Sequence, residues 1–188
     1  MNPITHFLVS WPLAGVPSRL QRTEQRCIVG AGLAPDLDGL GIFPELATRN
    51  SADPVLWWSE YHHLLAHNLA FGLLVAGAVA VITRRLKIGA LALLAFHLHL
   101  ACDLIGSKGP DGYRWPIAYL FPFSLSRKWA VPWQWALNAW PNVILTIGLL
   151  AFALWYAARS GRSPLGLISD RANGALVVAL RNRFSQSD

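Results

Sequence analysis

The chain has 188 residues, 54% of them hydrophobic and only 14% charged, with a mean hydropathy of +0.37 and a net charge of +6. That is too apolar for an ordinary soluble domain and long enough for one helical bundle. The basic residues gather at the ends of apolar segments, as membrane orientation signals do, which argues against nucleic acid as the partner of the positive charge. The two cysteines, Cys27 and Cys102, offer neither a disulfide framework nor a zinc-finger spacing. The first apolar run lacks a basic flank and is interrupted by Ser10, Pro12 and Pro17, so no signal peptide is expected.

In chain order, two short apolar pieces come first, over residues 3–16 and 25–34, the second running into Pro35-Asp36-Leu37-Asp38-Gly39. A helical crossing takes about 20 apolar residues, so neither spans a bilayer alone. Together they read as an in-and-out pair whose second member breaks near the apolar layer. Broken backbone at that depth needs cover from protein or a wet cavity, which makes the 35–39 break an expected site wall. Three full spans follow at roughly 64–83, 86–105 and 136–158, with Pro141 near the first turn of the last. The expected fold is therefore an all-α integral membrane bundle of four to five embedded helices, occupying residues 1–158 and enclosing a buried polar metal site.

Residues 159–188 read as a basic cytoplasmic tail: a polar linker, then a segment that sets Leu176, Leu180 and Phe184 on one face. Such a segment is either an interfacial helix or a loosely packed tail. If five helices alternate, Arg19, Arg22 and Arg26 share a side with Arg84, Arg85 and Lys87 and with the arginines of the tail. Positive charge marks the cytoplasmic side. His62, His67, Asp103 and the loop 106–134 are then expected towards the outer face. Nine tryptophans suit a protein with two membrane interfaces, and Trp115, Tyr119, Phe121, Trp129, Trp133 and Trp135 of that loop read as an aromatic belt.

The chemistry lies in six histidines and the aspartates near them. Ionisable groups at membrane depth are costly and mark a function by default. His99 and Asp103 stand four apart on a predicted helix and project from one face. His97 points almost the opposite way and reads as a packed histidine. His63 and His67 share the four-residue spacing, while His62 is rotated by about 100° from His63. A helix starting near His63 leaves His62 at the cap, so any two of the three can ligate; His62 and His67 are the pair carried forward. Asp36 and Asp38 sit in apolar surroundings, where a cation relieves the repulsion between two carboxylates. His6, early on the first helix, is either a further ligand or an interface histidine. Cys102 reads as buried packing.

The order Thr5-His6, Pro35-Asp36-Leu37-Asp38, the run from His62 to Asn68, and His99-Leu100-Ala101-Cys102-Asp103 resembles the membrane-bound, metal-dependent hydrolases of the YdjM type, over roughly residues 1–155. His-x-x-x-Asp is also similar to a motif of zinc-dependent phospholipases C. This chain carries His63 and Ala66 where the family run has arginine and threonine, a departure that bears on the substrate's anionic group. The resemblance implies an inner-membrane protein with one or two divalent ions among Asp36, Asp38, His62, His67, His99, Asp103 and His6. Zinc comes first, with manganese or iron as alternatives. A bound ion would acidify water for attack on a phosphoester or lipid-like substrate. Asp38 would be a ligand, a general base or a residue that orients a histidine, and Lys108 and Arg114 would hold a phosphate. Two other classes remain open at this point: a membrane di-iron oxygenase or desaturase-like enzyme, and a metal-binding transporter or scaffold without catalysis.

Overall fold

The computed structural model describes residues 1–17, 19–109 and 112–185, with no side-chain description for Phe184 and Ser185. The Phe184 contribution to the predicted tail face therefore lies outside the described residues. Helix α1 spans Pro3–Gly15 and α2 spans Arg22–Leu33. A 3-10 helix, Ala34–Gly41, leads into α3, Ile42–Thr48. The short α4, Trp57–Tyr61, precedes α5, Leu69–Thr83, and α6, Leu86–Gly106. After the long loop come α7, Trp140–Ser160, a second 3-10 turn at Pro164–Leu167, and α8, Asp170–Ser185. No strand occurs among the described residues; the loop contributes only isolated bridges, Lys108 with Ala136 and Ile117 with Trp129.

Helix α6 is the central post, packed against α1, α2 and α5. Its small residues Ala92 and Ala95 are fully buried with Ala31 of α2, Ala14 of α1 and the larger Trp11, Ile28 and Ile88. Small side chains let helix backbones approach closely, the usual way to hold helices together where lipid removes the hydrophobic drive. Gly32 marks the tightest approach: a Cβ there would collide with Ser10 of α1. The outward faces of α5 and α7 expose Leu73, Leu74, Val81 and Ile82, and Val143, Ile144, Ile147 and Leu150. Apolar faces of that extent belong in a bilayer, where helices satisfy every backbone polar group internally.

Three helical units are long and apolar enough to cross a membrane, Arg22–Thr48, Leu86–Gly106 and Trp140–Ser160, with Leu69–Thr83 a shorter apolar helix. Two expectations change here. The 35–39 segment is no break in the helical path, because the chain tightens into a 3-10 helix with Pro35 in its first turn, where a missing N–H matters least. The second piece is thus a continuous unit of 27 residues. The span predicted at 64–83 begins only at Leu69, because Asn68 caps it by accepting from Phe71 N at 2.9 Å.

The tail is docked onto the bundle. Helix α8 packs on α7 and on the second 3-10 turn, Asp170 pairs with Arg22, and Arg26 Nε donates to Leu167 O at 2.6 Å. Asn173 Oδ1 accepts from the N–H and the hydroxyl of Ser163, both at 2.8 Å.

Candidate metal centre

The centre is built around Asp103, in the last turn of α6 and 2% exposed. Its Oδ1 accepts from Ser107 Oγ at 2.6 Å, contacts the Met1 amine, and lies 3.2 Å from His6 Nε2. Its Oδ2 lies 3.0 Å from His99 Nε2, 3.3 Å from His67 Nε2 and 3.9 Å from His63 Nε2. Four imidazoles from three chain segments thus face one buried carboxylate.

His99 sits one helical turn before Asp103, and its Nδ1 donates to Gly32 O at 2.8 Å. Gly32 lies among the last residues of α2, where carbonyls lack intrahelical partners. That bond makes Nδ1 the donor and leaves Nε2 facing a carboxylate oxygen. Asp36 Oδ1 lies 3.6 Å from the same nitrogen. His6, from the second turn of α1, stacks flat on His99 with ring centroids 3.6 Å apart.

The segment between α4 and α5 delivers the other histidines, and it is a turn rather than the predicted start of a helix. Asp38 organises it. Oδ1 accepts from His62 Nδ1 at 2.7 Å, and Oδ2 accepts from His67 Nδ1 and Ala66 N, both at 3.0 Å. Asn68 Nδ2 donates to Leu64 O and Leu65 O. Side chains therefore satisfy backbone groups that a helix would have paired internally. His63 adopts a left-handed backbone with φ 69°, which turns its ring inward at 4% exposure. For a residue other than glycine this conformation costs on the order of 1–3 kcal/mol, and strain of this kind collects at functional sites.

Asp36 and Asp38, expected to share one cation, face different partners: Asp36 meets His99, and Asp38 meets His62 and His67. Burial presses His67 towards neutrality, but its hydrogen bonds to Asp103 and Asp38 outweigh that and raise its pKa to about 9. Burial holds His63 well below the usual histidine value, with neighbouring His67 adding to the effect.

Three groups of side chains bring ligand atoms within 4.8 Å of one another: His6, Asp36 and His99; Asp38, His62 and His67; and His63, His67 and Asp103. Several of these atoms are buried without a hydrogen-bond partner, namely His6 Nδ1 and Nε2, His63 Nδ1, His99 Nε2 and Asp36 Oδ2. Each such orphan costs roughly 1–3 kcal/mol, so the arrangement fits a cation that would take up the lone pairs. Imidazole nitrogen with carboxylate oxygen is a donor set suited to zinc, iron or manganese. Cys102 neighbours Asp103 in sequence but is in none of the three groups.

Two cavities open onto the centre. One, of about 260 Å³, is lined by Asp36, His62, His63, Asp103, Ser107 and Trp115; the other, of about 120 Å³, by His62, His63, Trp58, Trp115 and Lys128. Beside them runs an apolar groove of about 530 Å³, walled by Leu37, Leu40, Pro44, Trp57 and Leu65, with Asp38 on its lining. Trp58 stacks on His62 with centroids 5.6 Å apart, and Trp115 presents its ring edge-on to His62 at 5.1 Å and His63 at 4.8 Å. The expected aromatic belt therefore yields one roof residue, Trp115. No motif or spacing singles out Trp58. Neither Lys108 nor Arg114 lines these cavities, whereas Lys128 does. His97 stays outside, bonded to Leu93 O at 2.8 Å and to the Tyr119 hydroxyl at 2.9 Å.

No curated protein and no solved structure matches the chain. The sequence model of the YdjM inner membrane protein family matches residues 1–180, further than the motif resemblance reached and well into α8. All four motif segments that build the centre lie inside that match, and the chain belongs to the YdjM inner membrane protein family.

Proposed function

We propose that this chain is an integral membrane, metal-dependent hydrolase acting on the phosphoester of an amphiphilic substrate. The observation that carries the reading is the buried Asp103 carboxylate with the Nε2 atoms of His6, His63, His67 and His99 between 3.0 and 3.9 Å from it. His6, Asp36, His67, His99 and Asp103 hold the metal, with zinc the first choice and manganese or iron as alternatives, and His63 adds a donor the sequence left undecided. A divalent ion bound there supplies Lewis acidity and water acidified to a pKa of about 7.

The chain's own residues do the rest. Asp38 fixes the tautomer and direction of His67 by accepting its Nδ1 proton, the role carboxylates play behind metal-bound histidines. It holds His62 in the same way, so that Nε2 is the His62 nitrogen left to accept a proton from attacking water. In this assignment His62, predicted as a ligand, serves as a proton acceptor, and Asp38 takes the histidine-orienting role that was one of its predicted alternatives. Lys128 lies on the cavity wall and takes the phosphate-binding role predicted for Lys108 and Arg114. Trp58 and Trp115 limit water access from above. The apolar groove beside Asp38 suits the chain of a lipid entering from the bilayer side. Positive-inside placement of the arginines puts the centre towards the outer face and the tail in the cytoplasm.

The test uses detergent-purified full chain with a panel of fluorogenic phosphomonoester, phosphodiester and acyl-ester amphiphiles. Hydrolysis of a phosphoester that chelation abolishes, zinc restores and His99→Ala lowers by at least about 100-fold is the expected result. A folded, metal-loaded protein that hydrolyses no member of the panel would sink the hydrolase reading. Iron in the purified protein, with activity dependent on an electron donor, would replace it with an oxygenase.

A further inference from the structure

We infer that the centre is built for two ions bridged by Asp103, an inference that rests on the metal-site reading above. The first subsite is His6, Asp36 and His99, whose ligand atoms lie within 4.8 Å of one another and whose two imidazole nitrogens lie 3.2 and 3.0 Å from Asp103. The second is His63, His67 and Asp103 itself. Asp103 thus belongs to one trio and touches the other, with His6 of the first on Oδ1 and His99 of the first beside His67 and His63 of the second on Oδ2.

Donor number points the same way. His6, His63, His67, His99, Asp36 and Asp103 supply six side chains, more than the four positions of a tetrahedral zinc site. Shared through Asp103, they divide into a closed subsite of four protein donors and one of three. Three protein donors plus an open position is the pattern of a catalytic ion. The open subsite contains His63, which lines both cavities, so the free position faces the side from which substrate arrives. The unusual backbone of His63 finds its reason there: without φ 69° the second subsite would lack that ligand.

The remaining trio, Asp38, His62 and His67, does not make a third subsite. His67 Nδ1 is already engaged on Asp38, and its Nε2 is turned to Asp103. Using both nitrogens for ions would require an imidazolate. A pair of ions about 3.5–4 Å apart clamps the attacking and leaving oxygens of a phosphoryl displacement, the chemistry that two bridged subsites serve.

The test is metal counting and electron paramagnetic resonance on the full chain in detergent, reloaded with zinc or with Mn(II) and dialysed. The expected result is two ions per chain in the wild type and an exchange-coupled Mn(II) pair signal. His63→Ala and His6→Ala are each expected to bind a single ion and to show only isolated Mn(II). The wild-type spectrum needs no variant, so misfolding of a mutant leaves the test intact. One ion per chain with an isolated Mn(II) spectrum in the wild type overturns the two-ion inference while leaving the hydrolase reading in place. No retained ion overturns both.

Discussion

The two ends of α6 treat buried charge in opposite ways. At the N-terminal end, Glu24 is buried at 4% exposure, yet Arg85 Nη1 and Gln21 N donate to it at 2.6 and 2.8 Å, and nearby Arg26 and Asn173 have partners of their own. At the C-terminal end, Asp103 meets four imidazoles, and two of the nitrogens that face it, His6 Nε2 and His99 Nε2, have no hydrogen-bond partner. Burial alone does not separate a structural ion pair from a site. What separates them is whether the chain completes the hydrogen bonding itself, and only the C-terminal end leaves work for an outside cation.

The largest effect is expected from substitution at Asp103. Asp103→Ala is expected to abolish metal retention, because it removes the carboxylate that belongs to one trio and touches the histidines of another; metal analysis after dialysis reads it. Next is pH. Below its pKa of about 9, metal-free His67 carries a proton that an ion must displace. Apparent affinity should therefore rise with pH by about tenfold per unit from pH 7 and level off above pH 9. Competition with a chromophoric chelator measures this, and a flat profile would contradict the place given to His67.

A smaller effect is expected from Asp38→Asn, which leaves the donors around Asp103 intact but removes the acceptor that fixes His67 and His62. Metal affinity should fall by about 10–100-fold, the usual cost of losing a residue behind a ligand. The smallest belongs to the opposite end. Glu24→Gln breaks a pair whose arginine is half exposed, so a loss of about 1 kcal/mol of stability is expected, with metal content unchanged. Thermal unfolding beside metal analysis checks both parts, and loss of metal in Glu24→Gln would erase the distinction between the two ends.

Much of the site could be read from spacing. His99 and Asp103 are four apart on a helix and do converge, and the Pro-Asp-x-Asp segment does wall the centre. The segment 62–68 was less legible. Leu64, Leu65 and Ala66 look like the first turn of an apolar helix, and only Asp38, from 28 residues earlier, holds Ala66 N in a turn instead. Asn68 was the local signal for the true start, since asparagine favours caps over helix interiors. The inward turn of His63 depends on a left-handed backbone that no periodicity announces. Trp58 and Trp115 could not be told from interfacial tryptophans, because their position over His62 and His63 is set by tertiary packing.

Metal binding by the imidazole and carboxylate groups around Asp103 can be read from zinc K-edge X-ray absorption on the purified, zinc-loaded protein. The expected spectrum has nitrogen and oxygen neighbours at about 2.0–2.1 Å, with the outer-shell scattering of several imidazoles that disappears in Asp103→Ala. Sulfur scatterers at about 2.3 Å, or a zinc shell of water without imidazole, would contradict it.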